Sequence, residues 1–126
     1  MRLTKTIGDA VMLTSPDPRA MVEQSIALQR EWTSPADGRP ALRIGIANGI
    51  GVPHAGDWFG APVNLASRVT ETARPGQVTV TADVHDAVVA APPQDGMVLR
   101  FRPAAPRKFR GVRGAQRLYR VHAEPR

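Results

Sequence analysis

Cysteine is absent from the 126 residues, which excludes disulfides, thiolate zinc sites and cysteine nucleophiles. No apolar run approaches the ~18 residues needed to span a bilayer. The opening Met1-Arg2-Leu3-Thr4-Lys5 also lacks the apolar stretch of a secretory signal. The expectation is therefore a soluble, cytoplasmic chain with no membrane segment. Aromatic residues are few, with two Trp, three Phe and one Tyr. Phe101, Phe109 and Tyr119 are spaced as strand-core residues rather than as a platform for stacking bases. His54, His85 and His122 lie far apart without HxH or HExxH spacing, which argues against metal ligation by them. Gly 11 and Pro 12 together stay below the roughly 25–30% that marks low-complexity chains.

The length suits one domain spanning residues 1–126, with 42% hydrophobic residues to build a modest core. The formal charge of +6 is unevenly placed: residues 1–99 carry a net −2 and residues 100–126 a net +8. A basic tail invites a nucleic-acid or polyphosphate reading, set against that of a solvated, charge-rich terminal hairpin. Without interleaved exposed aromatics, nucleic acid is an unlikely partner.

Along the chain, Arg2 to Ile7 and Ala10 to Leu13 read as two strands joined by a Gly8-Asp9 turn. Asp17 and Pro18 supply helix-start chemistry, N-cap and first helical position. The helix they open runs to Trp32, with Met21, Val22, Ile26, Leu28 and Trp32 on one side and Arg19, Glu23 and Arg30 on the other. Thr33 to Pro40 is a polar loop. Leu42 to Val52 reads as a strand followed by a bend or second strand, where Gly45, Gly49 and Gly51 signal close backbone approach or a bulge. A loop over Pro53 to Phe59 leads to a helix from about Ala61 to Ala73, ended by Arg74-Pro75-Gly76. Val78 to Thr81 is a strand, Asp83 to Ala90 a short helix, and 97–102 and 116–121 are strands. This alternation predicts an α+β layer sandwich.

Two stretches carry chemistry. In Lys5-Thr6-Ile7-Gly8-Asp9 a cation and a carboxylate flank a hairpin arm, a pattern that ordinary turn chemistry also produces. In the second, Asp57 stands just before a helix whose polar side holds Asn64 and Arg68 at i, i+4. An amide and a guanidinium so placed suit an anionic, hydrogen-bonding ligand; a solvated amphipathic helix would show the same pattern.

Taken together, the segments KTIGDAVML, LRIGIANG, AGDWFGAPVNLASRV, ARPGQV, FRGVRG and LYRV, in this order, resemble the class III nucleotidyl cyclase catalytic domain of the actinobacterial adenylate cyclase type. The likeness extends over nearly the whole chain. It implies a ferredoxin-like-type antiparallel or mixed sheet with helices packed on it, and conversion of ATP to 3′,5′-cyclic AMP and pyrophosphate with two Mg²⁺ or Mn²⁺ ions at a dimer interface. By the resemblance Asp9 is a metal carboxylate, Lys5 and Asp57 read adenine, Asn64 orients the ribose, and Arg68 stabilises the transition state. Arg110 aligns with a phosphate-binding lysine, keeping the charge but changing the donor geometry.

One departure qualifies this. The family opens with a strand and loop whose Asp is the other metal ligand, followed by two helices, and nothing of that form precedes Lys5. The expectation is an N-terminally truncated domain, inactive alone, that could still complement a partner supplying both carboxylates; the resemblance implies a homodimer or a heterodimer with another cyclase domain. The alternative is a degenerate, non-catalytic cyclase-homology module for nucleotide binding or dimerisation.

Overall fold

In the computed structural model the backbone is described for residues 2–7, 10–32, 41–50, 52–54, 57–91 and 96–124, with side chains described for 10–32, 41–50, 60–91 and 96–124. The first two strands, β1 (Arg2–Ile7) and β2 (Ala10–Thr14), pair antiparallel, Ile7 opposite Ala10 and Arg2 opposite Thr14. The Gly8-Asp9 turn expected between them, like the loop over 33–40, lies outside the described residues.

Helix α1 (Pro18–Trp32) begins where its chemistry says it should. Asp17 Oδ1 accepts from the amides of Arg19 (3.0 Å) and Ala20 (3.3 Å), satisfying two of the orphan donors of the first turn. Its buried stripe differs from the expected apolar one. Val22 and Ile26 are inside as predicted, but the stripe is completed by Ser25 and Gln29, while Met21, Leu28 and Trp32 are half-buried. Gln29 is tolerated there because its amide acts as a substitute peptide. Its Nε2 donates to the Leu42 carbonyl (2.8 Å) and its Oε1 accepts from the Leu42 amide (3.1 Å). The polar side is also not simply solvated. Arg19 donates to the Met97 carbonyl (2.8 Å), and Glu23 accepts from the Met97 amide (3.2 Å).

Among the described residues the main sheet has four strands, β3 (Ile44–Ile46), β6 (Val78–Thr81), β8 (Ala115–Glu124) and β7 (Val98–Lys108), in that spatial order. The β3–β6 pair is parallel and the other two pairs are antiparallel. Helices α1 and α3 (Ala82–Ala90) cover one face, burying Val22, Ile26, Ile46, Val78, Val80, Val84, Val88 and Val121 in one cluster. Helix α2 (Ala61–Thr72) packs on β3 and β6. With three helices on a mixed sheet among the described residues, the α+β expectation holds.

Two strand boundaries are corrected. The stretch 53–59, expected as a loop, holds the last two residues of β4 (Val52–His54) and all of β5 (Asp57–Phe59), paired antiparallel with Val52 opposite Phe59; Val52, Trp58 and Phe59 are strand-forming residue types. Strand β7 runs six residues past the expected end at 102, through Pro103 and Pro106 to Lys108. Proline lacks an amide donor, but β7 is an edge strand, where an unpaired side is available, and its register shifts between Ala104 and Arg107. Among the described residues β3 is paired on one edge only, and the β1–β2 hairpin forms its own sheet.

Candidate functional site

The strands bearing Lys5 and Asp57 are brought together by packing between distant parts of the chain: β1 lies against β5, and β5 in turn against α2. Lys5 sits in β1 opposite Met12, and Asp57 sits in β5 opposite His54. Their side chains, and the whole of Asp9, fall outside the described residues.

From β5 the chain passes through Gly60 directly into α2. Gly60 has φ 123°, a conformation that L side chains rarely adopt, and its carbonyl accepts from the Asn64 amide at 3.2 Å. Pro62 in the first turn needs no amide partner. The apolar side of α2 closes on the sheet through Val69 (0% exposed) and Ala73 (3%). That orientation leaves Asn64 exposed and Arg68 half-exposed on the other side, one turn apart. Arg68 is held only loosely: its Nη1 is 3.8 Å from Glu71 Oε2, and the two side chains are 43% and 65% exposed. Such a surface pair contributes about 0–1 kcal/mol, so the guanidinium is available to a better anion.

Helix α2 is fixed in place by a missing side chain. A Cβ on Gly45 of β3 would stand 2.6 Å from Thr70 Oγ1 and 2.7 Å from Thr70 Cα. Only a glycine lets the helix sit this close to the strand. The sequence flagged Gly45 for close approach; its partner could not be read from spacing.

Arg110 is carried by a different element, the turn joining β7 to β8. The Val112 amide donates to the Phe109 carbonyl (3.1 Å), and Gly111 has φ 82°. A positive φ at the third position is the type II signature and leaves Arg110 exposed at the second. Thus β1, β5 and α2 adjoin, bringing together the elements that carry Lys5, Asp57, Asn64 and Arg68, whereas Arg110 stands on the turn between β7 and β8.

The described residues contain no group of three or more His, Cys, Asp or Glu able to hold a metal ion. Asp9, expected as a metal carboxylate, lies outside the described residues. His85 is occupied structurally, stacked on Tyr119 (4.0 Å, 7°), edge-on to Phe101 (4.9 Å) and 2.9 Å from Asp86. No helix among the described residues is long and apolar enough to cross a membrane.

Comparison with known proteins bears on this arrangement. The family described as adenylate and guanylate cyclase catalytic domain matches residues 2–123. A protein named pH-sensitive adenylate cyclase MT1302, from Mycobacterium tuberculosis, is 50% identical over 117 residues, covering 93% of this chain and 29% of that protein. An adenylate cyclase of Streptomyces griseus is 42% identical over 78 residues, covering 62% of this chain and 19% of its own length. The chain thus spans less than a third of these relatives. Among solved structures, an adenylate/guanylate cyclase/hydrolase from Silicibacter pomeroyi superposes with TM-score 0.73 at 26% identity, over 95% of this chain and 71% of that one. The adenylyl cyclase CyaB of P. aeruginosa (TM-score 0.66, 19% identity, 99% and 73% covered) shares the fold.

Proposed function

Because the chain belongs to the adenylate and guanylate cyclase catalytic domain family, we propose that it takes part in converting ATP to 3′,5′-cyclic AMP and pyrophosphate. The observation that supports this is the adjacency of β1, β5 and α2, the elements that carry Lys5, Asp57, Asn64 and Arg68. In this reading Lys5 donates to an adenine ring nitrogen and the Asp57 carboxylate accepts from the exocyclic amine. Guanine presents an oxygen where adenine presents that amine, leaving Asp57 facing a lone pair, and so is disfavoured. The Asn64 amide holds the ribose, and Arg68 places a planar, permanently charged donor pair against the reacting phosphate. Arg110 adds charge toward the leaving pyrophosphate.

When bound, Mg²⁺ or Mn²⁺ supplies the acidity that activates the ribose hydroxyl. Asp9 is one carboxylate that would hold it, at a site shared across a dimer interface, in a homodimer or with another cyclase domain. ATP as substrate suits a cytoplasmic location. The alternative, a non-catalytic nucleotide-binding or dimerisation module, uses the same residues without turnover.

The adenine-reading assignment has a direct test. In a turnover-competent assembly containing this chain, Lys5→Glu with Asp57→Cys shifts the preference from ATP toward GTP, measured as the ratio of cyclic AMP to cyclic GMP formed. An unchanged ratio would refute the assignment.

A further inference from the structure

We propose that the α2-side face of the main sheet holds a second anion site, built for a phosphate group by Thr79, Arg102, Arg107 and Arg120. The ladder aligns Thr79 of β6 with Arg120 of β8, and Arg120 with Arg102 of β7. One row across three strands therefore carries a hydroxyl and two guanidinium groups on a single face. Directly opposed like charges destabilise a sheet, and among the described residues no carboxylate pairs with Arg102, Arg107 or Arg120. Glu124, also on β8, pairs with Arg100 at 3.0 Å.

Beside this row lies a cavity of about 90 Å³, lined by Thr72, Thr79, Leu118 and Arg120 and by Arg107. The register shift between Ala104 and Arg107 is what brings Arg107 to the same cavity as Arg120. Thr79 is 3% exposed, and in the next row Thr81 Oγ1 is buried without a partner. Keeping an edge strand soluble accounts for charge on β7. It does not account for Arg120, which is half-buried on the interior strand β8. The end of α2 at Thr72 contributes a partial negative charge, a small term against two or three whole positive ones. None of the four residues belongs to the adenine- and ribose-reading set, so the site goes beyond the proposed activity and can be tested without turnover.

The test is titration of the 126-residue chain with inorganic phosphate at constant ionic strength, chloride making up the balance, followed by thermal midpoint and by the amide resonances of Thr79 and Arg120. The expected result is saturable binding, weakened about tenfold or more in Arg120→Gln and in Arg102→Gln, since a hydrogen bond to a charged group is worth about 1.5–3 kcal/mol. Arg74→Gln, outside the site, leaves it unchanged. In phosphate-free buffer both site variants are at least as stable as the parent, because each removes a like-charge opposition. Glycerol phosphate binding as tightly as inorganic phosphate assigns an esterified group, and weaker binding assigns the free ion. Chloride reproducing the effect, or both variants binding phosphate as the parent does, would overturn the proposal.

Discussion

Replacing Arg68 with alanine lowers cyclic AMP formation by about 10²–10³-fold in a competent assembly, the loss that follows removal of one preorganised donor from developing charge, while the thermal midpoint barely moves. The separation of the two readouts follows from the geometry. Arg68 is 43% exposed and its contact with Glu71 is a long, solvated one, so folding gains little from it. Transition-state stabilisation would gain much, because the charge grows on phosphate oxygens that a planar fork can grip in pairs. Arg68→Lys keeps the charge without the fork and recovers only part of the rate. Glu71→Gln removes the competing carboxylate and leaves the rate near that of the parent. A large fall in midpoint with Arg68→Ala would mean that the residue is structural, and an unchanged rate would remove it from the site.

Gly45→Ala has the opposite signature, because it acts through the fold. The added methyl meets the Thr70 main chain as well as its hydroxyl, and backbone cannot swing aside as a side-chain end can. Overpacking of this kind costs about 1–3 kcal/mol, and the upper end applies here. That is a large share of a typical ~5–15 kcal/mol, measured as a lowered denaturant midpoint. Thr70→Gly deletes the hydroxyl but not the main-chain contact, so it does not rescue Gly45→Ala. Because α2 carries Asn64 and Arg68, whatever folded variant remains also turns over more slowly. An unaltered midpoint would show that strand and helix can separate at no cost.

These two residues mark where the chain was legible and where it was not. The cap at Asp17-Pro18, the span of α2 and the i, i+4 relation of Asn64 to Arg68 are local, and local chemistry decided them. Gly45 was visible as a close approach, but naming Thr70 requires knowing that α2 returns onto β3. The burial of Gln29 was not legible because its partner, the Leu42 backbone, lies thirteen positions away. The prolines of β7 concealed a strand that edge position permits, and the β4–β5 pair was hidden inside a stretch expected as a loop. The proximity of the strands carrying Lys5 and Asp57 rests on β1 meeting β5, which no spacing rule encodes.

The proposed function leaves one physical question, whether the site is completed by another chain. The measurement is cyclic AMP production from ATP with Mn²⁺, by the purified 126-residue chain alone and after mixing with a cyclase domain that retains both metal carboxylates but lacks its own adenine-reading pair. The account predicts no detectable product from either chain separately and turnover from the mixture, abolished by Arg68→Ala in this chain. Robust turnover by this chain alone, or silence from the mixture, would contradict it.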